Sequence, residues 1–182
     1  MAGQTLKMVL YALKEHYSNA DNVERIIIEC ALTAAAADGI GGMIPGLSVP
    51  ALIIGCFGAV WVMYGRICKE LGISLKKNVL KLLARAALSN IAANLGGALL
   101  VSLAGLLIPG ASVAVSAVAT FICVYIAGLL FVQLLGKLAA KSADPVSFSD
   151  ISASEMGEIV KEAKVDMADL EAAKEAYTTN KT

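Results

Sequence analysis

Charge is what this chain has least of. Asp, Glu, Lys and Arg make up 16% of it, against about 25% in soluble domains, and apolar residues 58%, against about 45–50%. No charged residue occurs in the 27 positions from Gly39 to Gly65, or in the 51 from Ala86 to Gly136. A helix on the surface of a soluble domain carries charge on its outer face, and neither stretch has any. Two environments fit: lipid, or the inside of a large soluble bundle. A membrane span needs roughly 20 apolar residues, so the first stretch has room for one helix and the second for two.

Other scarcities remove whole classes of chemistry. Histidine occurs once, at His16, and although Glu15 and Ser18 stand near it in sequence no motif there suggests a triad, so it is expected to be a surface residue. The four cysteines, Cys30, Cys56, Cys68 and Cys123, form no C-x-x-C pair, so the thiols are expected to be buried and reduced and no zinc site is expected. The phosphate-loop pattern is missing, since Gly136-Lys137 is followed by Leu138. Gly39, Gly41, Gly42 and Gly46 form no dinucleotide fingerprint, because no strand precedes them. No catalytic residue, cofactor or metal is expected. Lys7, Lys14 and Glu15 interrupt the first apolar stretch, so no secretory signal is expected either.

What the chain does have is a repeat. Ile44-Pro45-Gly46-Leu47-Ser48-Val49 returns 64 positions later as Ile108-Pro109-Gly110-Ala111-Ser112-Val113. Each copy follows an Ala/Gly-rich apolar run and precedes a longer apolar run ending in basic residues. This predicts two helical hairpins of one design, turning at Pro45-Gly46 and Pro109-Gly110. The expected fold is all-α: a membrane helical bundle of two repeated hairpins, with an N-terminal amphipathic helix and a C-terminal soluble helix. Three parts are expected: residues 1–21, a two-hairpin domain over 22–141 (hairpins 22–72 and 74–140), and an acidic tail over 142–182.

Local signals mark the ends of these elements. Leu6, Val9, Leu10, Leu13 and Tyr17 share one face of the first helix, and Asp21 or Asn22 can cap the next. Pro50 falls in a first helical turn, where its missing N–H costs nothing. Gly72 is a plausible C-terminal cap, and Ser152 with Glu155 has capping-box spacing. Ala93, Gly97, Gly105, Ser116, Thr120 and Ala127 would let the arms of the second hairpin approach closely, as small residues do in lipid.

Net charge is zero, yet residues 1–143 carry 11 basic and 6 acidic residues while 144–182 carry 4 and 9. Arg66, Lys69, Lys76, Lys77, Lys81 and Arg85 oppose only Glu70 in the connector between hairpins. Without interleaved aromatics, this run suits anionic lipid headgroups better than nucleic acid. The positive-inside rule then places the connector and both termini in the cytoplasm. The expected location is a membrane, the bacterial inner membrane in particular. Glu29 and Asp38 interrupt the first arm, so three spans compete with four.

Four polar residues in apolar helices are candidates for a polar lining: Glu29, Asp38, Asn90 and Asn94. Asp38 could equally solvate a hairpin tip, and Asn90 with Asn94, four apart on one face, could equally bond a neighbouring helix. In the tail, Met156, Ile159, Val160, Met167 and Leu170 recur at three- and four-residue steps opposite an acidic face. That stripe calls for a partner: the core, a second subunit or another protein.

Ala34–Ala37, Ile44-Pro45-Gly46, Tyr64-Gly65 and Ile108-Pro109-Gly110 together resemble a helical family of unknown function. It is found C-terminal to bacterial Era-like GTPases, in YcjF-type inner-membrane proteins and, distantly, in immunity-related GTPases. The resemblance covers about residues 24–136 and implies membrane association, with a GTPase or other cytoplasmic protein as a partner in trans. The acidic tail is not part of the pattern, and the chain has no GTPase domain. The expected function is that of a non-enzymatic integral membrane protein that homo-oligomerises or scaffolds, with its tail binding a partner. A small channel or transporter and a soluble oligomer that inserts conditionally are the alternatives.

Overall fold

A computed structural model describes residues 10–40, 49–104, 112–144, 146–148, 151–162 and 165–180; for 38–40, 49–55, 95–104, 112–116, 153 and 161 it describes the backbone alone. The fold is all-α, and no strand occurs among the described residues. Residues 10–14 are helical and precede α1 (Asp21–Ile40), α2 (Val49–Glu70), α3 (Lys77–Ala104), α4 (Ser112–Lys141), α5 (Ala153–Glu162) and α6 (Met167–Asn180). Pro45, Gly46, Pro109 and Gly110 lie outside the described residues, as do Leu6 and Val9.

Helix ends follow the local chemistry. Gly72, at φ 71°, closes α2 with two reverse bonds: its own N–H to the Lys69 carbonyl, and the Ile73 N–H to that of Cys68 at 2.8 Å. That pair of bonds is the Schellman cap, and its left-handed residue favours glycine. At the start of α5, the Ser152 N–H donates to Glu155 Oε2 at 2.8 Å and the Glu155 N–H to Ser152 Oγ, as the capping-box spacing predicts. The tail was expected to hold one helix and holds two. A second reciprocal cap, Asp166 with Asp169, opens α6. Helix α3 breaks a rule: Lys77 and Lys81 stand in its early turns with no acid in the first, against the preference of a helix N-terminus for negative charge.

The core is built round α4. Every residue from Ala119 to Val132 is buried, so this helix has no face in water over that length. Helix α1 covers it most extensively, with α2, α3 and both tail helices taking the remaining sides. Gly128 permits the α1 approach: a Cβ there would come within 2.8 Å of Ile27. From α2, the Tyr64 hydroxyl donates to the Ala127 carbonyl at 2.9 Å, and its ring stacks on Phe131 with centroids 3.9 Å apart. The contacts Asn22–Glu70 and Glu29–Arg66 make α1 and α2 antiparallel, and Trp61–Lys81 with Phe57–Arg85 do the same for α2 and α3.

The acidic segment is packed against this core. Met156, Ile159 and Val160 of α5 and Leu170 and Ala173 of α6 are buried, α5 mainly against α3 and α6 against α4. The linker before it is fastened as well. Asp144 Oδ1 accepts from the Val146 and Ser147 N–H groups, the Val146 carbonyl accepts from the Ser74 N–H at 2.8 Å, and Phe148 is buried at φ 48°.

Candidate membrane-facing surface

The basic residues of the connector stay in water. Arg66, Lys69, Lys76, Lys77, Lys81 and Arg85 are all exposed. Helix pairing gives them neighbours that their own segment lacks. Lys81 Nζ stands 5.0 Å from the Trp61 ring centroid, and the Arg85 guanidinium carbon 5.7 Å from that of Phe57. The two cations and the two rings are each four apart on antiparallel helices, so they form a ladder. The run itself holds no aromatic, and the rings beside it are supplied by α2. A cation over an aromatic face is a favourable pairing at an exposed surface. The common spacing of four was the available signal for this pairing.

Arg66 faces the other way, toward α1. Its Nη2 donates to Glu29 Oε2 at 2.7 Å, and Arg25 Nε lies 3.8 Å from Glu29 Oε1. The hydrogen bond from Arg66 holds the Glu29 carboxyl below its usual range, with the charges of Arg66 and Arg25 acting the same way. Two guanidinium groups therefore share one carboxylate.

Of the three polar-lining candidates whose side chains are described, Asn90 and Asn94 meet each other and Glu29 pairs elsewhere. Glu29 is taken up by Arg25 and Arg66. Asn90, 7% exposed, donates from Nδ2 to the Val160 carbonyl at 2.9 Å, while Asn94 Nδ2 donates to Asn90 Oδ1 at 3.0 Å. Val160 lies in the last turn of α5, where carbonyls lack helical partners. This pair therefore ties the tail to α3. The Asp38 side chain lies outside the described structure. Of the tail stripe, Met156, Ile159, Val160 and Leu170 are inside the chain's own core, and Met167 is half exposed.

Among the described side chains, these contacts give one mark on each helix. The marks are Glu29 on α1, Phe57 on α2, Asn90 on α3 and Phe121 on α4, whose ring meets Tyr177 of α6 at 5.1 Å. From there to Ile40, Val49, Ala104 and Ser112 each helix runs on for roughly 12–21 Å at 1.5 Å per residue. Asp38 is the single charged residue in those continuations and in the segments 41–48 and 105–111 that join them.

Sequence led us to expect several spans. Among the described residues, Ala117–Lys141 is the one helical stretch long and apolar enough to cross a membrane; its most apolar 18 residues have mean hydropathy 2.4 and are 89% buried. Neither family models nor curated proteins nor solved structures provide a match to this chain.

Proposed function

We propose that this chain is a non-enzymatic membrane scaffold that enters one leaflet by the charge-poor ends of its two repeated hairpins. The basic face of α2 and α3 meets anionic headgroups, with Trp61 and Phe57 at the interface. The acidic helices α5 and α6 stay in the water layer on the cytoplasmic side.

One observation carries this. Charged pairs and tail contacts mark the helices at Glu29, Phe57, Asn90 and Phe121, leaving roughly 12–21 Å of charge-poor helix beyond. A hydrocarbon core is about 30 Å thick, so that length reaches through about one leaflet. The lysines at the head of α3 support the same assignment, since they oppose the helix dipole and so serve something other than helix stability.

A second reading is favoured by the burial of α4. If α5 and α6 came away, the side of α4 that they cover would be exposed, and full release of this span-length helix would further require α1, α2 and α3 to open. This is the conditional-insertion alternative, and it requires Asn90 to release Val160.

Flotation with vesicles tests the proposal. The full chain should float with phosphatidylcholine vesicles containing phosphatidylglycerol and far less with phosphatidylcholine alone. Replacing Lys81 and Arg85 by Gln should cost about 2 kcal/mol, roughly thirtyfold in binding. Equal flotation of parent and variant on both vesicles would remove the basic face from the account.

A further inference from the structure

Between α1 and α2, on the side away from the aromatic ladder, lies a cavity of about 410 Å³ whose lining includes Cys30, Thr33, Ala37, Gly58, Val62 and Arg66. It has a polarity along the bundle axis. Arg66 stands at one end, level with Glu29 and Arg25; Ala37 and Gly58 stand at the other, toward the charge-poor ends. Its walls are apolar in effect. The Thr33 hydroxyl is turned to its own helix, donating to the Glu29 carbonyl at 2.7 Å, and Cys30 Sγ is held by Arg66 at 3.3 Å. Val62 is 56% exposed here, and a Cβ on Gly58 would meet nothing within 4 Å. Among the described residues, no side chain fills the space at Gly58.

We infer that this groove seats one acyl chain of an anionic phospholipid, with the headgroup at Arg66 and Arg25. Two features select that occupant over a second helix. The cation excess sits at one end only, where two arginines share Glu29 and exposed Lys69 follows one turn on. The apolar length, from Arg66 to Gly58, runs alongside Trp61 and Phe57 and opens toward the part of the molecule proposed to enter the leaflet, so the bound lipid would stand partly drawn out of the bilayer. The volume is within the range of small-molecule sites. The orientation argument rests on the leaflet-entry proposal; the cavity and its charge do not.

The test is native mass spectrometry of the full chain taken from mild detergent micelles doped with phosphatidylglycerol or phosphatidylcholine. The parent should retain one phosphatidylglycerol and at least tenfold less phosphatidylcholine. Gly58→Leu fills the groove at a position with room for it and should cut retained phosphatidylglycerol at least tenfold, with thermal stability and vesicle flotation unchanged. Val62→Asp, placing a carboxylate on the exposed wall, should do the same should Gly58→Leu fail to fold. Arg66→Gln should erase the preference between the two lipids. Undiminished phosphatidylglycerol on both groove-filling variants overturns the inference. So does a parent dimer that Gly58→Leu turns into a monomer with no change in lipid, which would give the groove to a second copy. Loss of flotation by the parent would instead count against leaflet entry and leave the retained lipid to be judged on its own.

Discussion

Among the glycines whose surroundings are described, Gly128 is the most tightly packed. A methyl group there would lie 2.8 Å from Cγ1 and 2.9 Å from Cγ2 of Ile27, which is fully buried and branched at Cβ and so has little room to yield. Gly128→Ala should therefore lower stability by about 1–3 kcal/mol in denaturant unfolding, despite its better helix propensity, and Ile27→Val should recover part of the loss. A second residue-scale outcome concerns acid. Asp169 is 4% exposed, and burial raises its pKa above the ordinary 3.8. A raised carboxyl contributes stability that is full below 3.8 and is lost as pH climbs through the folded value. Asp169→Asn keeps an acceptor for the Asp166 N–H and removes the buried charge. It should melt higher than the parent at pH 7, with the difference closing below pH 4; a lower melting point at pH 7 would contradict this.

At the scale of elements, the joint between α3 and α5 determines whether the tail is a free arm or part of the bundle. Asn90→Ala removes the donor to the Val160 carbonyl and the acceptor of Asn94. Leaving a buried carbonyl unsatisfied costs about 1–3 kcal/mol, and here the cost falls on tail docking. Limited proteolysis should then cut the linker over 142–152 several-fold faster while the α1–α4 core stays intact. Equal rates would mean that the apolar stripe alone holds the tail.

The same joint separates what the sequence made legible from what it did not. The Gly72 cap and the Ser152–Glu155 box are local, set by residues within one turn, and both appear as their spacing predicts. The tail stripe of Met156, Ile159 and Val160 was legible as a face needing burial. Which surface it meets was not, because α3 and α4 lie far away in sequence and show no recess to a periodicity argument. The Trp61–Lys81 and Phe57–Arg85 ladder escaped for a related reason: a search within the basic segment cannot see rings supplied by the preceding helix. Asn90 and Asn94 were legible as one polar face, and interhelical bonding was one of the two uses the spacing allowed.

For the whole molecule, apolar sequence does not translate directly into membrane span. Helix α4 has the hydropathy of a span, yet the chain surrounds it with α1, α2, α3 and two acidic helices. What bears on the matter is where charge stops along each helix: beyond Glu29, Phe57, Asn90 and Phe121 the sequence up to each interhelical segment carries Asp38 alone. The most direct measurement puts a single cysteine at the second tip, Ala111→Cys in a chain whose four native cysteines are replaced. The protein is added to preformed phosphatidylglycerol-containing vesicles, with a membrane-impermeant thiol reagent supplied outside in one sample and trapped inside in another. Leaflet entry predicts that Cys at 111 reacts freely before vesicles are added and is protected from both reagents afterwards. Labelling by the trapped reagent would mean that the hairpin crosses, and undiminished labelling from outside that it never enters; either result contradicts the account.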